Sequence, residues 1–323
     1  MKIRAVVKGV GHYLPKRVVE NKEFETSLDT SDEWIFSRSG IKRRHFVEDG
    51  EKTSDIAILA AKIALEDAKL QANDIDAIIV ATSTADLTFP SVATMVQSGL
   101  KMEGGFAYDI QAVCAGFIYA LSTANAQIRS RQAKRVLVIG AETFSKLMDW
   151  TDRSTCVLFG DGAGALILEG CEEPGSSADR GILSVDLNSD GQYRNILYVD
   201  GGVSTGHTGF LRMEGKEVFR HAVEKLYETS ETALKKAGLT ADEIDWVVPH
   251  QANIRIIKST VRKMGVPFKK VITTVQDHGN TSAASIPLAL SVAKQNGEIK
   301  ENDLLITEAI GGGLAWGALV LRW

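Results

Sequence analysis

One spacing recurs along this chain and limits its fold more than any other feature. Ala64-Leu65-Glu66-Asp67-Ala68-Lys69-Leu70, followed by Asp74-Ile75-Asp76-Ala77-Ile78-Ile79-Val80, is echoed by Ala233-Leu234-Lys235-Lys236-Ala237-Gly238-Leu239 and Glu243-Ile244-Asp245-Trp246-Val247-Val248-Pro249. The offset is 169 residues, and it holds again between Ala120-Leu121-Ser122-Thr123-Ala124 and Ala289-Leu290-Ser291-Val292-Ala293, then between Val136-Leu137-Val138-Ile139 and Leu305-Ile306-Thr307-Glu308. A fixed offset over several elements marks an internal duplication. Two similar α/β halves, residues 1–174 and 175–323, are expected to pack together, joined through the polar stretch Glu172-Glu173-Pro174-Gly175-Ser176-Ser177-Ala178-Asp179. Each half runs helix, strand, apolar loop, then strand, helix, strand, an order that places reactive loops near strand ends.

With 323 residues, 44% of them hydrophobic, the chain can bury a large core. Its net charge of −4 gives no electrostatic footprint for general nucleic-acid binding. Three unclustered cysteines form neither a disulfide framework nor a Cys-x-x-Cys zinc pattern. Residues Met1 to Gly11 lack a signal-peptide core, and no uncharged apolar run approaches the ~20 residues that span a bilayer. A cytoplasmic enzyme without membrane insertion is the expectation.

Cys114 is singled out by its surroundings. Phe106-Ala107-Tyr108-Asp109-Ile110 reads as a strand, and Cys114 to about Ile128 reads as a helix rich in small and apolar residues. A thiol at a helix N-terminus meets unpaired N–H groups and the positive end of the helix dipole, which favour the nucleophilic thiolate. A buried structural cysteine is the competing reading. Cys156, in Thr155-Cys156-Val157-Leu158-Phe159, reads as strand core, and Cys171 reads as part of a polar loop, so neither has a helix start behind it.

Two glycine clusters invite a phosphate-binding reading. Gly160-Asp161-Gly162-Ala163-Gly164-Ala165 runs into the strand Leu166-Ile167-Leu168, whereas a dinucleotide fingerprint needs a strand before it and a helix after it; a tight turn or close backbone approach is the better account. Gly311-Gly312-Gly313 lets a backbone approach a substrate and present an N–H, which suits an oxyanion site.

Among six histidines, His250 follows Pro249 at the end of an apolar strand and precedes an amphipathic helix, a position from which its ring projects into a cleft. Histidine is the commonest acid–base residue, while most histidines in any chain serve structure. Asn280, within Gly279-Asn280-Thr281-Ser282-Ala283-Ala284-Ser285, reads equally as a helix cap or turn residue when taken alone. In the helix after His250, Arg255, Lys258 and Arg262 share one face and Ile257, Val261 and Met264 another.

Taken together, these segments resemble the β-ketoacyl-acyl carrier protein synthase III family, the initiating condensing enzymes of bacterial type II fatty-acid synthesis. The resemblance runs nearly end to end. It includes Thr30-Ser31-Asp32-Glu33-Trp34-Ile35 with Arg38, Gly40 and Ile41, then Phe89-Pro90-Ser91, Cys114-Ala115-Gly116-Phe117, Asp152-Arg153 and Phe159-Gly160-Asp161-Gly162-Ala163-Gly164-Ala165. It continues through Pro249-His250-Gln251-Ala252-Asn253, Gly279 to Ser285, and Gly311-Gly312-Gly313. It implies an α/β thiolase-like fold of two duplicated halves in α/β/α/β/α layers.

By that resemblance Cys114 is acylated by an acyl-CoA thioester, with the N–H groups of Cys114 and Gly312 as oxyanion hole. His250 and Asn280 then donate hydrogen bonds to the malonyl thioester oxygen as malonyl-acyl carrier protein decarboxylates and attacks the acyl-cysteine. The family implies CoA contacts at Thr30, Trp34, Arg38, Arg153 and Asn253, carrier-protein contacts at Gln251 and Arg255, and an acyl pocket at Phe159 and Phe89, the latter reaching across a homodimer. A solvated basic face is the alternative for the Arg255 helix. CoA enters as a thioester substrate, and no metal or resident cofactor is implied. Asn280, in place of a second histidine, favours initiation over elongation, and Glu308-Ala309-Ile310-Gly311 lacks the second cysteine of thiolases. Ile310 stands where the family commonly has Phe and Ala315 where it commonly has Thr, which bears on pocket shape and so on primer choice. A same-fold condensing enzyme with another acyl-CoA primer, or one serving secondary metabolism, is the alternative. A non-catalytic acyl-binding or carrier-docking protein is disfavoured by the joint presence of Cys114, His250 and Asn280.

Overall fold

A computed structural model describes residues 1–323. In chain order its strands are β1 (Lys2–Tyr13), β2 (Arg17–Glu20), β3 (Arg43–Phe46), β4 (Ala77–Ala81), β5 (Phe106–Ile110), β6 (Arg135–Thr143), β7 (Asp161–Glu173), β8 (Gly181–Ser189), β9 (Leu197–Val199), β10 (Leu211–Met213), β11 (Trp246–Val247), β12 (Leu304–Gly311) and β13 (Ala315–Arg322). The helices are α1 (Asn21–Phe24), α2 (Asp32–Ser39), α3 (Thr53–Ala68), α4 (Val92–Gly99), α5 (Gly116–Arg129), α6 (Gly215–Ala237), α7 (Ile254–Lys263), α8 (Val275–His278) and α9 (Ser285–Gln295).

Two sheets organise these elements. The first has strand order β1-β7-β6-β4-β5, with β4 parallel to β5 and β6, and β7 antiparallel to β1 and β6. The second has order β11-β12-β13-β8, its first pair parallel and the others antiparallel. Helices α3 and α4 cover the outer face of the first sheet, and α6, packed against α7, covers the second. Between the sheets lie α5 and α9, which explains their composition: a helix enclosed on all sides must be apolar and small-residue-rich around its whole circumference. In α9, Ile286, Leu288, Ala289, Leu290 and Ala293 are all buried. The layers are thus α/β/α/β/α, and one apolar cluster runs from Val10 and Leu166 of the first sheet through Leu121 and Leu290 to Leu305 and Leu319 of the second.

The 169-residue offset reappears in space: α5 and α9 begin at Gly116 and Ser285, and β6 and β12 at Arg135 and Leu304. Close approach of the central layer to the sheet requires Gly140 on β6, where a Cβ would lie 2.3 Å from the Ala283 carbonyl oxygen. Two local expectations are corrected. Cys156 is not in a strand: Asp152 accepts hydrogen bonds from Ser154 N–H and from the hydroxyls of Ser154 and Thr155, which winds residues 151–158 into turns. Cys171 is not in a loop, because β7 continues through it, paired with Arg4 of β1. No helix of the structure is long and apolar enough to cross a membrane.

Candidate active site

Each half supplies a strained turn that leads into its central helix. In the first half β5 delivers the chain to a single 3-10 turn at Val113–Ala115, followed by α5; in the second, the turn Ser282–Ala284 is followed by α9. Val113 and Ser282 hold equivalent left-handed conformations, with φ of 48° and 50°. Such positions cost of order 1–3 kcal/mol for residues other than glycine, and persist where surrounding packing dictates them. The two turns bring Cys114 and Asn280 into the wall of one cavity of about 720 Å³, and His250 lines it as well.

His250 leaves the sheet beside β12, its N–H donating to the Glu308 carbonyl at 2.8 Å. Its Nδ1 lies 2.7 Å from Ser285 Oγ, and the same Oγ accepts the Gln251 N–H at 3.2 Å. A hydroxyl has one hydrogen to give. Ser285 Oγ has no acceptor within reach other than Nδ1, so its hydrogen is assigned to Nδ1 and Nε2 is assigned as the protonated nitrogen. Burial pushes the His250 pKa down to about 3, so the ring is neutral. Asn280 is fixed by backbone bonds on both sides, to Leu158 and from Gly160. Its Oδ1 accepts the Ser282 N–H at 2.9 Å, which leaves the Nδ2 hydrogens for the cavity. Both groups are therefore donors.

Cys114 is 4% exposed, and this burial works against the thiolate that a helix start favours. Desolvation pushes its pKa up to about 12, with the Ser282 hydroxyl opposing and the Glu142 charge adding to the rise. The helix also begins at Gly116, after the turn, so the thiol does not sit on its first residue. Beside it β12 ends in bare backbone: a Cβ on Gly311 would lie 2.6 Å from Cys114 N, so only glycine lets this strand pass against the Cys114 amide. Gly312 is the next residue.

Three buried groups in this region escaped the sequence reading. Glu142, fully buried at the end of β6, accepts from Ser83 N–H and from the hydroxyls of Thr84 at 2.6 Å and Thr82 at 3.4 Å. Ser282 Oγ lies 3.4 Å from Cys114 Sγ and 3.2 Å from Glu142 Oε1. Glu308 lines the cavity with neither carboxyl oxygen partnered, and burial holds its pKa well above the usual carboxylate range. A lone acid within an otherwise apolar strand was the signal available for both carboxylates.

Toward the cavity mouth, Trp34 and Arg38 on α2 meet Asn253 and Arg255 at the start of α7. The Arg38 and Arg153 guanidiniums lie 4.6 and 5.1 Å from the Trp34 ring centre. Arg153 is also bonded to Asp29 and, like Thr30, lies outside the cavity wall. Asn253 caps α7 through its Oδ1, which accepts the Arg255 N–H at 2.8 Å, and donates to the Arg38 carbonyl at 3.1 Å, tying α2 to α7. Arg255, Lys258 and Arg262 are exposed, while Ile257, Val261 and Met264 are buried.

Gln251 is corrected as a carrier-protein contact. It is wholly buried, donates to the carbonyls of Pro249 and Ile272, and accepts from the N–H groups of Thr274 and Val275, so it braces the His250 loop from within. Phe159 lines the cavity and stacks on Phe144 at 5.0 Å between ring centres. Phe89 is 82% exposed and absent from its own chain's cavity wall. Ile310 lines the cavity among Ala222, Leu226 and Leu314, and Ala315 opens β13 opposite Gly311.

Residues 108–191 match the family model of 3-oxoacyl-[acyl-carrier-protein] synthase III, and residues 234–323 match that of its C-terminal part. The chain is 71% identical over 323 residues to a β-ketoacyl-[acyl-carrier-protein] synthase III of Cereibacter sphaeroides, covering all of both chains. It is 72% identical over 320 residues to that of Ruegeria pomeroyi, covering 99% of each. Among solved structures, the 3-oxoacyl-[acyl-carrier-protein] synthase III of Aquifex aeolicus VF5 superposes with a TM-score of 0.94 at 45% identity, over 99% of this chain and 100% of that one.

Proposed function

The chain belongs to the β-ketoacyl-[acyl-carrier-protein] synthase III family of thiolase-like acyltransferases, and from that premise we propose that it starts fatty-acid synthesis by condensing a short acyl-CoA, acetyl-CoA foremost, with malonyl-acyl carrier protein. The observation that carries the reading is the meeting of Cys114, His250 and Asn280, drawn from both halves of the chain, in the wall of one cavity. The half spanning 1–174 supplies the nucleophile and the half spanning 175–323 the two donors.

Cys114 sulfur attacks the acyl-CoA carbonyl, and the Cys114 and Gly312 N–H groups receive the oxyanion as CoA departs. Malonyl-acyl carrier protein follows and loses CO2. The enolate that remains bears its charge on the thioester oxygen, where a neutral His250 Nε2–H and the Asn280 amide are suited to meet it as fixed dipoles that require no reorganisation. The enolate carbon then attacks the acyl-cysteine and releases β-ketoacyl-acyl carrier protein. CoA is a substrate here, and the chemistry calls for no resident cofactor.

For CoA, the adenine exchanges with a guanidinium over Trp34, Arg38 and Arg153 meet phosphate charge, Asn253 contacts the pantetheine arm, and Thr30 shapes the segment before α2. The exposed basic face of α7, with Arg255 nearest the mouth, suits an acidic carrier protein. Phe89, 82% exposed, is free to close the acyl pocket of a partner in the homodimer that the family implies. Phe159 and Phe144 occupy the inner pocket and favour a short primer.

The test is product formation from acetyl-CoA and malonyl-acyl carrier protein, followed by mass spectrometry of the carrier protein. Acetoacetyl carrier protein is expected. A clear preference for another acyl-CoA corrects the primer, and failure with malonyl carrier protein but success with malonyl-CoA moves the chain to a different condensation.

A further inference from the structure

Acylation must take a proton from Cys114, and His250 offers no lone pair for it: Nδ1 is engaged by Ser285, and Nε2 carries the hydrogen that the enolate step uses. A second route leads away from the sulfur. Ser282 Oγ touches Cys114 Sγ at 3.4 Å and Glu142 Oε1 at 3.2 Å. Its single hydrogen serves only one of the two neighbours at a time; while it rests on the carboxylate, the stronger acceptor, an Oγ lone pair faces the thiol. The left-handed Ser282 backbone, pinned by Asn280 Oδ1, holds the hydroxyl between the two.

We infer that Glu142, acting through the Ser282 hydroxyl, is the acceptor of the Cys114 thiol proton. The inference rests on Cys114 being the acylated residue. In acylation the Ser282 hydrogen passes to Glu142 Oε1 as the Cys114 S–H bond breaks toward Oγ, and the sulfur forms its bond to the acyl carbon. CoA leaves as a thiolate and takes a proton from water. When the enolate later expels Cys114 as a thiolate, Glu142 returns its proton through Ser282. One solvent proton is consumed per cycle, as the release of CO2 from a malonyl carboxylate requires. Glu142 is neutral while the enolate forms, so no fixed anion opposes it.

The surroundings suit a group that changes charge. Burial raises the Glu142 pKa to about 7 against the pull of its hydroxyl and amide donors. The groups facing it are neutral hydroxyls and backbone from the segment after β4 (Thr82, Ser83, Thr84), Gly162 across from it on β7, Ser282, and the Cys114 thiol. The carboxylates of Asp86 and Asp161 on flanking segments are held by Ser54 and by Ser145 with Val47.

The test is the rate of Cys114 alkylation by iodoacetamide, followed by peptide mass between about pH 5.5 and 9, beside single-turnover acylation by acetyl-CoA. The wild-type alkylation rate is expected to rise through an inflection near pH 7. Glu142→Gln and Ser282→Ala should each lower the rate at neutral pH by about 10²-fold or more and move the inflection upward by more than a unit. A Glu142→Gln profile that superposes on the wild type overturns the relay. Should neither variant fold, the dependence of wild-type acylation on deuterium content decides: a curved dependence supports two protons in flight, and a straight line overturns the proposal. Because alkylation needs no CoA thioester, a wild type that alkylates as expected but is acylated by no acyl-CoA refutes the condensation reading and with it the relay's part in acylation, whereas the alkylation profile alone decides whether Glu142 takes the thiol proton.

Discussion

Glu308 shows what a buried, unpartnered carboxyl does to a protein's pH response. Its pKa is raised by burial alone. A carboxyl so raised contributes its stability below the unfolded pKa, and that contribution is lost as pH climbs above it, because the unfolded chain ionises and the folded chain does not. The loss runs at about 1.4 kcal/mol per pH unit. Glu308→Gln removes the titration, so its melting temperature relative to wild type should climb steadily from about pH 5 to pH 8; a constant difference would show that Glu308 is ionised in the fold. His250→Ala and Asn280→Ala each delete one donor, and each should slow condensation by about 10²–10³ while leaving acylation of Cys114 within about tenfold of wild type, read by separate half-reaction assays. Cys114, His250 and Asn280 were legible because each sits in a local pattern: a strand-to-helix junction, a strand end, a Gly-Asn-Thr-Ser turn. Ser282 and Glu142 were not. Their meaning comes from a contact across 140 residues of chain, and sequence separation gives no distance.

At the scale of elements, the duplication was readable because both copies must fill the same central layer, which keeps α5 and α9 equally rich in small residues. Gly140 enforces that layer's approach to β6. Gly140→Ala sets a Cβ against the backbone of Ala283 and should cost about 3 kcal/mol or more in denaturant unfolding, whereas Gly191→Ala, with nothing within 4 Å, should stay within about 0.5 kcal/mol of wild type. Equal costs would mean that the two layers can slide apart. Short apolar runs were less legible. Thr155 to Phe159 fits a strand by composition, and only the reach of Asp152 to its neighbours' hydroxyls makes it a turn. Cys171 erred the other way, since the polar end of β7 is held by pairing with β1 rather than by burial. Gln251 fell to a similar cause: next to a candidate histidine, a surface polar residue and an internal brace look alike in sequence.

For the molecule as a whole, the 169-residue repeat is one of architecture rather than of separate cores. The main apolar cluster joins residues from Ala5 to Leu321 through α5 and α9, so neither sheet has a core of its own on its inner face. Unfolding should therefore be a single calorimetric transition, with van't Hoff and calorimetric enthalpies in agreement per cooperative unit; two separated transitions would assign each half independent stability. The same enclosure sets the cavity's chemistry, because Cys114, His250 and Glu142 are buried between the layers and held uncharged or poised to become so. The central claim is that this enclosed thiol carries the acyl group between two partners. Intact-protein mass spectrometry tests it directly, with wild type and Cys114→Ala incubated briefly with acetyl-CoA and then given malonyl-acyl carrier protein. The account predicts one thioester-labile acetyl group on wild type alone, discharged when the carrier protein is added. Absence of the adduct on folded wild type, or the same adduct on Cys114→Ala, would contradict it.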